Sequence, residues 1–135
     1  MKVAVFDTHS FERSLIQEAN RDRHELLFLD VRLTEQTAIL AKGCNAVSLF
    51  VNDRADAPTI GLLKQFGVRI LALRCAGFNN VDVGAAAKHN IAVVRVPEYS
   101  PAAVAEHAVA LLLTYNRKIH KANNRVHEMN FSLDG

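Results

Sequence analysis

Gly77 and Tyr99 are the residues whose type and placing best suit ligand chemistry. Gly77 stands in the stretch CAGFNN, just past an apolar run and ahead of a helix start. A residue without a side chain lets its backbone N–H approach an anion closely. Spacing alone leaves open the plainer reading of a turn glycine. Tyr99, in PEYS, precedes Ser100, a helix-capping type; its hydroxyl can orient a carboxylate, or its ring can pack at a hinge. Asp7 and Asp53 follow the first and third apolar runs, where the phosphoacceptor of a receiver-like domain would lie. Thr8 follows Asp7, however, and Val96 and Pro97 end the fifth run where a receiver carries lysine. His9, His24, His89, His107, His120 and His127 show no metal-ligand spacing, and no Ser/His/Asp or Cys/His pairing emerges, so no metal site is expected. No GxGxxG or P-loop pattern occurs, which leaves the chain without a complete nucleotide cradle.

Five apolar runs must position these loops: Val3 to Phe6, Leu26 to Leu29, Ala46 to Val51, Val68 to Leu73 and Ile91 to Val96. They are mostly continuous rather than alternating and rich in Val, Ile and Leu, as strands buried on both faces are. Helical spacing separates them, through Phe11, Leu15, Ile16 and Ala19, then Ala38, Ile39 and Ala41, then Ile60, Leu62, Leu63 and Phe66. Ser10, Thr34 and Asp56 with Pro58 suit helix starts, and Gly43 and Gly67 suit helix ends. Asp82 opens a short fourth helix ending near His89 and Asn90. Alternation of this kind predicts a flavodoxin-like α/β fold, five parallel strands in the order 2-1-3-4-5. Ligands of such sheets bind beyond the carboxyl ends of the strands, and this order makes the fourth and fifth strands neighbours. CAGFNN and PEYS are therefore expected to face one pocket.

A fifth helix departs from that pattern. Ser100 and Pro101 start it, and AAVAEHAVALLLTY follows, apolar on almost every side from Ala102 to Leu113 apart from Glu106 and His107. Such a helix expects burial all round, which one flavodoxin-like layer does not supply. The run is too short for a membrane span and contains Glu106. The polar segment from Arg117 to Gly135 adds no sixth strand, so the chain is expected to be the front part of a larger two-domain architecture. Its 135 residues, half apolar and 22% charged, fit one compact domain and exclude disorder and collagen. A net charge of +2 with both signs interspersed offers nucleic acid no footprint, and Arg117, Lys118, Lys121 and Arg125 suit a solvated face of a late helix. Cys44 and Cys75 lie in or beside apolar runs and are expected as two buried free thiols. With no signal-peptide pattern at the N-terminus, a cytoplasmic location is expected.

LRCAGFNNVD (Leu73 to Asp82) followed by VPEYSPAAVAEHAVALLL (Val96 to Leu113) resembles the N-terminal part of the NAD-dependent D-isomer-specific 2-hydroxyacid dehydrogenases, and among them the enzymes that interconvert pyruvate and D-lactate. The resemblance runs from MKVAVFDTHSFE to NFSLDG. It implies that residues 1–100 are the N-terminal part of a substrate domain. Residues 101–135 would be an interdomain helix and the start of an incomplete NAD-binding domain of Rossmann type. The all-round apolar helix would then cross to that domain and join a subunit interface of a homo-oligomer. The backbone amides of Ala76 and Gly77 and the Tyr99 hydroxyl would hold the substrate carboxylate, and Val104 would lie near the nicotinamide. The family's catalytic arginine, glutamate and histidine have no counterpart in these residues. The isolated chain is accordingly expected to be inactive. The alternative is a non-enzymatic interaction module that associates through a helix over 101–120.

Overall fold

The computed structural model describes residues 1–133. They divide into a compact unit from Met1 to Tyr99 and a second unit that begins at Ser100.

In the first unit, β1 (Lys2–Val5), β2 (Glu25–Phe28), β3 (Ala46–Leu49), β4 (Ile70–Leu73) and β5 (Ala92–Val94) form one sheet. Its order is β2-β1-β3-β4-β5, as predicted. Every pairing is parallel, with Val3 opposite both Leu26 and Ala46, and Leu71 opposite both Val47 and Val93. The three inner strands supply Ala4, Val5, Val47, Leu49, Leu71 and Leu73 to the core. Ile60 and Leu63 of α2 (Ala57–Gln65) and Ala85 and Ala86 of α3 (Val83–Lys88) cover them. Burial of each large aliphatic side chain contributes about 1.5–3 kcal/mol. The strands are shorter than the apolar runs because the flanking residues turn into loops and helix-packing positions. Phe6, Val68 and Ile91 are buried without being strand residues.

Local signals act as read at most boundaries. Asp56 caps α2, its Oδ1 accepting from the Thr59 amide at 3.2 Å and hydroxyl at 2.7 Å, with Pro58 in the first turn. Asp82 caps α3 through the Ala85 amide at 2.8 Å. Gly43 and Gly67 take φ of +79° and +94°, the left-handed region that favours glycine.

In the first unit three expectations need correction. The cap of α1 (Ser10–Asn20) is His9 rather than Ser10, and its amide donates to Glu12 Oε1 at 3.0 Å. The inward face of α1 is the line Glu12, Ile16 and Asn20, while Phe11 and Leu15 are 67% and 62% exposed. One residue is about 100° of helix rotation, and Glu12 takes the inward position to meet an arginine described below. The segment after Thr34 makes only one 3-10 turn, Ala38–Ala41. There the Thr37 hydroxyl donates to Arg32 O at 2.6 Å and accepts from the Thr34 amide at 2.8 Å. Side chains that bond the nearby backbone compete with helix propagation.

The second unit holds α4 (Pro101–Arg117) and α5 (Ile119–His127). The single helix expected over 101–120 is broken at Lys118, whose φ of 54° lets its N–H close α4 on the Thr114 and Tyr115 carbonyls. The basic stripe is split accordingly between two helices. Pro101 opens α4, but the Ser100 hydroxyl makes no capping bond. No residue of α4 is buried among the described residues. A short polar companion such as α5 has too little apolar surface to cover it. Among the described residues no helix is long and apolar enough to cross a membrane.

Candidate functional site

The carboxyl ends of β4 and β5 carry the predicted loops, and the structure ties those loops together. Past Leu73 the chain runs through Arg74, Cys75, Ala76 and Gly77; past Val94 it runs through Arg95, Val96 and Pro97 to Tyr99. The Val96 amide donates to Cys75 O at 3.2 Å, continuing the strand pairing into the loops. Arg95 Nη1 donates to Ala76 O at 3.1 Å, Val96 O at 3.2 Å and Pro97 O at 3.0 Å, and its guanidinium lies 5.5 Å from the centre of the Phe78 ring.

Gly77 is exposed, and a Cβ placed there would meet no atom within 4 Å. Its backbone lies outside the left-handed region, so the turn itself does not require glycine. What the missing side chain leaves is open space beside the loop. Gly77 lines a cleft of about 190 Å³ with Val51, Cys75, Asn79 and Asn80. Ala76 is half-buried, and Tyr99 is 86% exposed. Val104 lies in the second unit, on α4, and is exposed.

The floor beneath these loops is a polar network. Arg74 is the hub: Nε donates to Glu12 Oε2 at 3.2 Å, Nη2 to Glu12 Oε1 at 3.2 Å and to Phe6 O at 2.8 Å, and Nη1 to Ser48 Oγ at 3.1 Å. Its guanidinium also lies 5.3 Å from the Phe50 ring centre. One side chain thereby joins the ends of β1, β3 and β4 to α1. Asn80 Nδ2 donates to Phe50 O at 3.1 Å and Asp53 O at 3.0 Å, fastening the glycine loop to the turn after β3.

Asp53 is buried, and both of its oxygens are engaged, Oδ1 by the Leu33 amide at 2.6 Å and Oδ2 by the Phe50 amide at 2.5 Å. Burial pushes its carboxyl above the ordinary 3.8, with those two amides acting in the opposite direction. A carboxylate committed in this way clamps two loops and is not presented to a phosphoryl donor, which removes the receiver-like reading. Asp7, also buried, has φ of 45° and lies 3.9 Å from both His9 Nε2 and Arg32 Nε. Among the described residues no group of three or more His, Cys, Asp or Glu is arranged to hold a metal.

Both cysteines are free, but only Cys44 is buried. Cys75 is half-exposed in the cleft wall, where its Sγ donates to Gly77 O at 3.2 Å, so the expectation of two buried thiols holds for one. Burial also raises the Cys44 thiol above its ordinary value.

Arg74, Arg95, Glu12 and Asn80 were missed from the sequence. The two arginines had a legible signal, since Arg74 directly follows the fourth apolar run and Arg95 interrupts the fifth near its end, on the side where ligands bind. Glu12 had none, because its partner lies 62 residues away.

The D-isomer specific 2-hydroxyacid dehydrogenase catalytic-domain profile matches residues 3–130 of this chain. The chain is 50% identical to D-lactate dehydrogenase of Escherichia coli (strain K12), an alignment that takes in 100% of this chain and 41% of that protein. The apo-structure of the E. coli enzyme superposes with a TM-score of 0.78, covering 100% of this chain and 43% of that one. The pyruvate reductase of Chlamydomonas reinhardtii superposes at 0.83 with 43% identity, covering 100% and 40%. A D-lactate dehydrogenase with NAD+ from Lactobacillus jensenii superposes at 0.69 with 30% identity, covering 98% and 41%. The chain thus spans about two fifths of the length of the relatives it matches.

Proposed function

The chain belongs to the D-isomer specific 2-hydroxyacid dehydrogenase family, and from that premise we propose that it forms the substrate-holding part of an enzyme interconverting pyruvate and D-lactate, with NAD as coenzyme. In this reading residues 1–100 belong to the substrate domain, and residues 101–135 lead into the coenzyme domain. The observation that carries it is the joining of the Cys75–Asn80 loop to the Arg95–Tyr99 loop at the ends of adjacent strands, with open space at Gly77.

The amides of Ala76 and Gly77 and the hydroxyl of Tyr99 are three neutral donors for a carboxylate. They hold a small 2-keto acid by one end and leave its carbonyl free to react. Their contribution is orientation and lost translational freedom, not proton or hydride transfer. The cleft around Gly77 is lined by Val51, Cys75, Asn79 and Asn80 and has no carboxylate, imidazole or guanidinium in its wall. That lining supports the inactivity of the isolated chain.

The residues present do not fit a dinucleotide. No strand-to-helix turn in residues 1–133 is glycine-rich, and the turn after β1 reads Asp7-Thr8-His9. NAD therefore enters this proposal as the coenzyme of the whole enzyme, held mainly by residues outside this chain, and the place of Val104 near its nicotinamide belongs to the same proposal.

Two measurements test the reading. Titration of the ¹⁵N-labelled chain with pyruvate should move the Ala76 and Gly77 amide resonances most, and Tyr99→Phe should weaken the effect. Shifts confined to the ends of β1 and β3, or none at all, would refute the site. In the second, the pure chain should oxidise no NADH with pyruvate above a no-protein control; reproducible turnover would refute the division of labour.

A further inference from the structure

We infer that Arg95 is the positioning residue of the carboxylate site, an inference that rests on the substrate reading above but also has a signature free of substrate. Arg95 Nη1 meets carbonyls from both loops, Ala76 O at 3.1 Å on one side and Val96 O and Pro97 O at 3.2 and 3.0 Å on the other.

The covalent geometry makes the first of these contacts specific. Ala76 C=O and Gly77 N–H belong to one planar trans peptide, so they point in opposite directions. Fixing the carbonyl on the guanidinium fixes the direction of the Gly77 N–H, away from Arg95. A cation on the carbonyl also polarises the peptide and makes that N–H a better donor to an anion. The Pro97 carbonyl shares its peptide with the Glu98 N–H, so the same nitrogen sets the backbone immediately before Tyr99. Arg95 thus links the orientation of an anion-binding amide to the placing of the aromatic hydroxyl.

Packing restrains the arginine in turn. Its guanidinium lies over the Phe78 ring, and Phe78 directly follows Gly77. Arg95 and Phe78 also line an open cleft with Val83, Ala87, Ile91 and Val93. The guanidinium charge remains at the back of the glycine loop, where it raises the local positive potential without lining the 190 Å³ cleft at Gly77.

The test compares the 135-residue chain with Arg95→Ala and Arg95→Lys. Without ligand, Arg95→Ala should move the amide resonances of Ala76, Gly77, Glu98 and Tyr99 and speed their solvent exchange, with Val47 and Leu71 unchanged. Arg95→Lys, which keeps a charge but loses the planar contact with Phe78, should fall between. If those four amides are unchanged in Arg95→Ala, the positioning role is overturned whatever pyruvate does. With pyruvate, Arg95→Ala should bind about tenfold more weakly, the scale of one charge-assisted hydrogen bond. Equal affinity of the wild type and Arg95→Ala would overturn the link to the carboxylate site. Absence of Ala76 and Gly77 shifts in the wild type would instead refute the substrate reading, and the ligand-free comparison would still decide the role of Arg95.

Discussion

Replacing Arg74 by methionine keeps a long apolar stem and removes a guanidinium that serves four elements at once. Arg74 and Glu12 are both largely buried, with side chains 15% and 11% exposed. Glu12 would keep the His9 amide on Oε1 and would lose both contacts with the guanidinium. Removing one member of a buried ion pair costs about 3–5 kcal/mol, because the other charge stays desolvated. Phe6 O and Ser48 Oγ lose a donor as well, so the upper half of that range is expected. The loss is a large share of the ~5–15 kcal/mol by which domains of this size are stable. With a urea slope of roughly 1–3 kcal/mol/M, the midpoint of unfolding should fall by about 2 M, followed by far-ultraviolet circular dichroism. The decisive comparison adds Glu12→Leu. Replacing both charges by apolar groups is near neutral in many buried pairs, so the double variant should be more stable than Arg74→Met alone. A midpoint shift under about 0.5 M for Arg74→Met, or a double variant whose loss is the sum of the single losses, would refute this account.

The capping carboxylate of α2 has a pH signature. The Thr59 hydroxyl, first among the causes, holds Asp56 below its ordinary 3.8; its contribution is therefore complete above that value and is lost as pH falls through the lowered folded-state value. Asp56→Ala should cost about 1 kcal/mol at neutral pH, and the gap should close in acid; a gap independent of pH would argue against the charged cap. The two thiols should separate kinetically: Cys75, in the cleft wall, should react with an aromatic disulfide reagent in native protein, while Cys44, buried and raised by desolvation, should react only on unfolding. Equal rates for both would contradict the burial difference.

What the sequence by itself determined is what short-range physics dictates. The inner strands supply the core and the edge strands β2 and β5, although alternately exposed, are also apolar, so all five were visible as apolar runs, and parallel crossovers through helices leave few strand orders. Asp56 and Asp82 accept from amides three residues on, and Gly43 and Gly67 act through their own left-handed backbone, so their roles were readable locally. The motifs from Leu73 to Leu113 carried the family. Long-range contacts decided the rest. The rotation of α1 follows from Glu12 meeting Arg74, which no periodicity of Phe11 and Leu15 encodes. Asp53 is a loop clamp because Leu33 and Phe50 converge on it, although its place at a strand end equally suited a phosphoacceptor. The break at Lys118 shows the reverse case, a local event without a local signal, since a lysine in the left-handed region bears no mark in sequence. Above all, the sequence located the glycine loop and the PEYS loop on neighbouring strands. That one guanidinium, 19 residues from Ala76 along the chain, would bind both together was decided only when the sheet brought their backbones within hydrogen-bond reach.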